Sequence, residues 1–128
     1  MTNYLRIMNS VNILEKFSLF QEHWTPKIIG ELNGQYLKLA KLKDDFVWHS
    51  HEDEDELFMI FKGTLIMEFR DRIETIKEGE MLVVPRGVEH FPRTENGEEV
   101  WVLLFEPKDT KHTGEVDFDR AVHNQQWI

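Results

Sequence analysis

The sequence contains no cysteine, and this absence excludes several kinds of chemistry at once. Without thiols the chain cannot form disulfides, use a cysteine nucleophile, or build the cysteine-based sites that hold zinc or iron–sulfur clusters. Any metal that the chain binds must therefore be held by nitrogen and oxygen ligands, as supplied by histidine and the carboxylates.

An excess of positive charge and long hydrophobic runs are also missing. The formal net charge is -9, which argues against nucleic acid or an anionic membrane as partner, because both require a basic face. Apolar runs such as Val100–Phe105 are far shorter than the ~20 residues that span a bilayer. The first ten residues have neither a sustained apolar core nor a small-residue cleavage site, so we expect no secretory signal and a cytoplasmic protein.

What the sequence does contain is the material of one packed domain. Its 128 residues are 41% hydrophobic and include 9 Phe and 4 Trp, enough for one core but not for two. From residue 35 onward, apolar residues alternate in short stretches between turn signals, which is typical of an all-β sandwich or barrel. The predicted strands are 36–42, 46–51, 56–61, 64–70, 73–77, 81–84 and 100–105, with Asn33-Gly34 and Lys62-Gly63 as predicted hairpin turns.

The two ends of the chain differ from this central part. Apolar residues between Ser10 and Phe20 are compatible with a short helix that starts at Ser10, or with an irregular arm laid over a sheet. Pro26 ends this stretch, because the residue before a proline is biased to extended conformations. After Pro107 the chain is polar until Trp127-Ile128, which indicates a surface tail pinned at its end, with fraying as the alternative.

Four residues of the ligand type stand at fixed distances from turn signals: His49, His51, Glu56 and His90. Strand residues two apart share a face and lie roughly 6.8 Å apart, so an H-x-H pair can direct both imidazoles to one point. Asp55 competes with Glu56 as the carboxylate ligand, since both faces of strand 56–61 are apolar. Any one histidine alone is more often an ordinary surface residue, but four together predict a metal site with open coordination positions.

These residues carry a resemblance to the cupin superfamily. Its motifs are G-x5-H-x-H-x3-4-E-x6-G and G-x5-P-x-G-x2-H-x3-N. The first is matched by His49, His51, Glu56 and Gly63, and the second by Gly79, Pro85, Gly87 and His90. The chain is also similar to small single-domain cupins labelled mannose-6-phosphate isomerase-like, through the runs 12–17, 24–28, 51–58 and 104–107.

The resemblance implies a double-stranded β-helix, that is, a jelly-roll barrel, with a short N-terminal arm. It implies one divalent metal ion (Fe, Mn, Zn, Ni or Co) and chooses Glu56 over Asp55, giving the ligand set His49, His51, Glu56 and His90. Two positions depart from the family motifs. Lys43 and Asp44 stand where the first motif begins with glycine, and Thr94 replaces the closing asparagine of the second.

Other features near the motifs have ordinary explanations. The acids 52–55 predict a solvated turn; at the mouth of a site they would repel anions, which argues against a phosphosugar substrate unless Arg86 and Arg93 offset them. Three histidines lack ligand spacing and are expected on the surface: His23, His112 and His123. The residues expected to line the barrel are Phe58, Ile60, Met67, Met81, Val83 and Phe91.

We therefore expect a single cupin domain over 1–128, with an arm and first strand at 1–34, the barrel at 35–107 and a tail at 108–128. The expected function is a metalloenzyme, isomerase- or dioxygenase-like, that acts on a small-molecule ligand. The alternatives are a non-catalytic sensor or storage barrel and a structural metal. No catalytic base or nucleophile can be assigned beyond the ligands. The apolar arm predicts a homodimer in which residues 1–20 cross to a partner.

Overall fold

The computed structural model describes residues 8–108, 114 and 125–128 of the chain. Their elements are, in chain order, α1 (Ile13–Phe17), β1 (Lys27–Leu32), β2 (Gln35–Leu42), β3 (Glu56–Lys62), β4 (Leu65–Phe69), β5 (Ile73–Ile76), β6 (Met81–Val84), β7 (His90–Arg93), β8 (Val100–Pro107) and β9 (Gln126–Trp127). In this part of the chain, no helix is long and apolar enough to cross a membrane.

The strands form two sheets, as the predicted all-β jelly-roll architecture requires. The larger sheet has the order β6-β3-β8-β2-β1-β9, and the smaller one has the order β5-β4-β7. Strands β2 and β8 pair along their whole length, from Gln35 opposite Pro107 to Leu42 opposite Val100. The β1–β2 connection has positive φ at Asn33 and Gly34, which a type I′ hairpin turn requires, so the tight turn predicted there is confirmed.

The larger sheet buries apolar side chains on both of its faces. Its inner face packs on the smaller sheet through a core that includes Ala40, Phe58, Ile60, Val102, Leu104 and Met67. Its outer face carries Leu39 and Leu103, which are covered by Phe17 and Phe20 of the N-terminal arm. This second cover explains why strand β3 is apolar at every position from Leu57 to Phe61, which no half-exposed strand would be.

The predicted hairpin at Lys62-Gly63 is wrong. β3 pairs with β6 and β8, whereas β4 pairs with β5 and β7, so Gly63 marks a corner at which the chain passes from one sheet to the other. Gly63 has φ +80°, and a Cβ there would lie 2.7 Å from the carbonyl oxygen of Glu99. The corner therefore needs a glycine both for its backbone conformation and for the close approach of residue 99.

The predicted strand over 46–51 is also wrong. This segment is irregular and touches the smaller sheet at two isolated bridges, Asp45 with Arg93 and His49 with His90. Pro92 lies between those bridges and has no N–H to donate, although its carbonyl accepts from Phe46 N at 3.0 Å. A continuous ladder is therefore interrupted at this point. Conversely, the sequence predicts no strand over 90–93, and the structure forms β7 there.

Two of the predicted barrel-lining residues point outward. Met81 and Val83 are 61% and 49% exposed, because β6 pairs with β3 so that Val83 lies opposite Leu57 and Met81 opposite Met59, all on the outer face. Leu82 and Val84 face the core instead. Phe91 is half-buried against Trp48, outside the core, whereas Phe58, Ile60 and Met67 are buried as predicted.

The ends of the chain follow the predictions in part. The helix begins at Ile13 rather than Ser10, because the Asn12 side chain accepts a hydrogen bond from Glu15 N at 3.0 Å and caps it. β9 pairs in parallel with β1, and Ile128 packs on the outer core, so the tail is pinned at its end. His112 and His123 lie outside the described residues.

Candidate metal centre

Backbone hydrogen bonds bring the two motifs together at His49 and His90. His49 N donates to His90 O at 3.1 Å and His90 N donates to His49 O at 2.9 Å, which places the two imidazole centroids 4.2 Å apart. The His51 ring lies 5.1 Å from that of His49. His51 O accepts from Gly87 N at 2.7 Å, so the turn of the second motif is tied directly to the first.

The structure places all four expected ligand residues at one point inside the barrel. His49, His51 and His90 each present a nitrogen, and these nitrogens lie within 4.8 Å of one another. Glu56 Oε1 lies 3.4 Å from His51 Nε2 and 3.9 Å from His90 Nε2. All four residues are buried. The Asp55 carboxylate instead accepts from Arg86 N at 2.9 Å, so Glu56 is the acid of the two that lies beside the histidines.

Two of the histidines are held in a single tautomer. The Nδ1 atom of His49 lies 2.8 Å from Val47 O, and that of His90 lies 2.9 Å from Val88 O. A carbonyl oxygen only accepts, so each Nδ1 carries the proton and each Nε2 has a lone pair. Fixing a ligating imidazole through its other nitrogen is how proteins orient histidine toward a metal.

The cluster also contains buried nitrogen atoms with no hydrogen bond. His51 Nδ1, His51 Nε2 and His90 Nε2 are buried and lack a hydrogen-bond partner among residues 8–108, 114 and 125–128. Leaving a buried polar atom unsatisfied costs about 1–3 kcal/mol. A neutral imidazole has one lone pair, so a cation at the centre of the cluster would take one nitrogen from each of these two rings, and the residues present fit a metal ion.

Burial sets the protonation states that metal binding needs. Desolvation lowers the pKa of His90 to about 4 and also lowers the pKa of His51, so both rings are neutral near neutral pH and available as ligands. Desolvation raises the pKa of Glu56. A divalent ion beside this carboxylate would act in the opposite direction and favour its charged form.

The two positions that depart from the motifs bond to each other. Asp44 takes a positive φ of 68°, as the glycine of the motif would. Asp44 N donates to Thr94 Oγ1 at 2.7 Å, and Thr94 N donates to Asp44 O at 3.1 Å. The substituted residues thus close the segment before His49 onto the end of β7, and the expected ligand residues still lie together.

A small apolar cavity lies beside the cluster. Its volume is about 30 Å³, and its lining comprises His49, Glu56, Trp24, Pro26, Ala40, Leu42, Phe46, Phe58, Pro92 and Leu104. Trp24 and Phe46 stack at 4.6 Å and close one side. A cavity of this size holds about one or two water-sized molecules.

Sequence analysis missed a buried ion pair next to Glu56. Lys38 Nζ lies 2.8 Å from Glu106 Oε1, and their side chains are 2% and 3% exposed. Burial, and then the charge of the neighbouring Glu56, raises the pKa of Glu106. Strand alternation is the sequence signal that could have identified this pair. Lys38 falls on the same strand face as Ala40, and Glu106 falls on the same face as Leu104.

The nearby exposed charges do not enter the site. Glu52, Asp53 and Asp55 are exposed, which agrees with the solvated turn expected there. Arg86 pairs with Asp55 at 3.4 Å, and Arg93 pairs with Glu68 and Glu95, so neither arginine serves the cluster. His23 is exposed as predicted and lies 2.6 Å from Glu99.

Comparison with known proteins agrees with this geometry. Residues 36–106 match the cupin domain family. The chain is a cupin. A cupin-2 domain-containing protein from Shewanella frigidimarina NCIMB 400 is 42% identical, with a TM-score of 0.75 over 84% of this cupin and 100% of that chain. Protein NMB1881 from Neisseria meningitidis is 35% identical, with a TM-score of 0.70 over 78% of this cupin and 100% of that chain.

The cupin also resembles a protein of Bacillus subtilis (strain 168). This relative, the uncharacterized protein YdbB, is 34% identical over 95 residues, which are 73% of this cupin and 76% of YdbB. Together these matches make the chain a small cupin. They identify its family and fold and leave its reaction to be argued from the site.

Proposed function

We propose that this cupin binds one divalent metal ion through His49, His51, His90 and Glu56 and uses it to act on a small molecule. The observation that carries the proposal is the convergence of three buried imidazoles beside one carboxylate oxygen, with unsatisfied nitrogens on His51 and His90. Three imidazole nitrogens and one carboxylate oxygen suit Fe, Mn, Zn, Ni or Co. This donor set does not select one metal among the five.

The residues around the cluster suit an open metal site. Four protein ligands close a tetrahedral structural site, whereas a catalytic metal keeps a position for water or substrate. The cavity of about 30 Å³ that borders His49 and Glu56 provides space for a small molecule at such a position. The bound ion would supply Lewis-acid or redox chemistry, as an isomerase or a dioxygenase uses it. Val47 and Val88 orient two ligands, and the apolar lining limits access of bulk water.

A spectroscopic titration tests whether the site is open. The protein is reconstituted with Co²⁺, and azide or nitric oxide is added while the optical and magnetic spectra are followed. We expect the spectrum to change as the small ligand takes the open position. Glu56→Gln should weaken metal binding, since it removes the charged ligand. A spectrum that no small ligand perturbs would replace this proposal with a structural metal or a barrel that binds its ligand without the metal.

We also propose that the protein is a homodimer, although not through a crossed arm. Phe17 and Phe20 cover the chain's own sheet, so residues 8–20 need no partner. Support comes instead from apolar residues that remain exposed on the edge strand β6, namely Met81 and Val83.

Light scattering at micromolar concentration tests the dimer. We expect about twice the 15.3 kDa of one chain, and the double substitution Met81→Lys with Val83→Lys should lower the mass toward that of a monomer. Ile73→Lys, on an exposed residue of the smaller sheet, is the matched control. A monomeric wild type would refute the proposal.

A further inference from the structure

We infer that the buried pair Lys38–Glu106 positions the carboxylate of Glu56 for the metal, an inference that rests on the metal site proposed above. Lys38 and Glu106 touch no histidine of the cluster by any described hydrogen bond. They act through Glu56, and are therefore positioning residues.

The strand order places the three side chains side by side. β8 lies between β3 and β2 in the larger sheet. Leu57 pairs with Phe105, so one residue further along this antiparallel ladder Glu56 comes opposite Glu106. On the other side of β8, Lys38 pairs with Leu104. Alternation turns all three charged side chains to the inner face, where their neighbours along the strands are Ala40, Phe58 and Leu104.

Their contacts form a chain that ends at the histidines. Lys38 Nζ holds Glu106 Oε1 at 2.8 Å, Glu106 lies opposite Glu56 on the neighbouring strand, and Glu56 Oε1 faces His51 Nε2 at 3.4 Å. Glu106 Oε2 has no hydrogen-bond partner among the described residues. The Glu106 carboxyl is thus anchored at one oxygen by Lys38 and lies beside Glu56.

Stability alone does not account for this pair. Removing two charges from water costs about as much as their attraction returns, so apolar residues of similar size would serve the core as well or better. Orienting a metal-binding carboxylate is a role that is separate from stabilising the core. A ligand that is hydrogen-bonded by a fixed neighbour keeps its direction, and losing such a neighbour typically costs roughly 10- to 100-fold in metal affinity.

Lys41 shows what a buried lysine of this strand does when it has no part in the site. It lies on the opposite face of β2 and is 5% exposed. Its Nζ donates to Phe20 O at 2.7 Å and lies 4.7 Å from the centre of the Trp101 ring. Lys41 thus ties the arm to the outer face of the sheet, and it supplies a control matched in residue type, strand and burial.

The experiment compares wild type, Glu106→Gln, the double variant Lys38→Met with Glu106→Leu, and Lys41→Met. Melting temperature is measured without metal, and Co²⁺ affinity and the Co²⁺ optical spectrum are then measured by competition with a chelator. In the double variant no charge is left unpaired, so it should fold and melt at or above the wild-type temperature. Its Co²⁺ affinity should nevertheless fall roughly 10- to 100-fold, with an altered spectrum.

The conservative variant separates a hydrogen-bonding role from a charge effect. In Glu106→Gln the amide oxygen can accept from Lys38 and the amide N–H can donate to Glu56, so affinity and spectrum should stay close to wild type. Lys41→Met should leave the Co²⁺ affinity unchanged even if it lowers the melting temperature.

Three outcomes would overturn the inference. They are a folded double variant with wild-type affinity and spectrum, a Glu106→Gln protein that loses as much affinity as the double variant, and a Lys41→Met protein that loses affinity to the same extent. If wild-type protein itself bound no Co²⁺, the proposed metal site would fail first, and this result is distinct from the other three.

Discussion

His90 is fully buried, and its imidazole Nδ1 donates a hydrogen bond to Val88 O. Desolvation is the main reason that its pKa falls from 6.5 to about 4 in the folded chain. The unfolded chain therefore takes up a proton at this residue between pH 6.5 and pH 4, while the folded chain does not. Stability from a neutral, buried His90 is full above pH 6.5 and is lost as the pH falls toward 4.

This shift predicts a pH-dependent difference between metal-free wild type and His90→Gln. The free energy of unfolding of the wild type, relative to the variant, should fall by about 3 kcal/mol between pH 7 and pH 4, because one pKa unit corresponds to about 1.4 kcal/mol. Burial raises the pKa values of Glu56 and Glu106 and acts with the opposite sign, but these groups are present in both proteins. Urea titrations at several pH values measure the difference, and parallel curves would contradict it.

The residues of the site were predictable where spacing carries the information. His49 and His51 are two apart, and Pro85 and Gly87 precede His90 at fixed intervals, so local sequence identifies the candidates. Lys38 and Glu106 were not predictable in this way. They lie 68 positions apart and meet only because β2 and β8 are neighbours in the sheet. A charged residue within an alternating strand reads as solvent-facing until that pairing is known.

At the scale of the elements, the alternation of apolar and polar residues predicted where the strands lie better than it predicted which strands pair. The strands from β2 to β6 and β8 lie close to their predicted positions, and Asn33-Gly34 forms the predicted turn. The sequence between β3 and β4 is compatible with both a hairpin and a sheet-to-sheet corner, and pairing with β8, distant in sequence, decides for the corner. Likewise, the arm cannot be assigned to its own sheet or to a partner from apolar content alone.

The arm should be part of the core, which predicts a strong effect of one residue in α1. Phe17 is fully buried and stacks on Trp101 at 4.9 Å, so Phe17→Ala should lower the free energy of unfolding by about 3–5 kcal/mol. Leu14→Ala, in the same helix but 58% exposed, should change it by about 0.5 kcal/mol or less. Chemical denaturation measures both. Equal effects would mean that the arm does not cover the outer face in solution.

At the scale of the whole molecule, the acidic chain buries its ligand-type residues instead of exposing them at the surface. The formal net charge of -9 is spread over an exterior that includes the exposed acids around residues 52–55, whereas three imidazoles occupy the interior. The two sheets enclose this cluster. Family membership agrees with that architecture, but only the interior chemistry bears on what the molecule does.

Metal content, measured by elemental analysis of purified protein, tests the central claim most directly. Wild type should carry about one divalent ion per chain, because all the donors of the cluster converge on one point. The triple variant His49→Ala, His51→Ala, His90→Ala should carry almost none. His23→Ala, which changes an exposed histidine paired with Glu99, should match wild type. Circular dichroism confirms that each variant is folded. Equal metal content in wild type and in a folded triple variant would contradict the account.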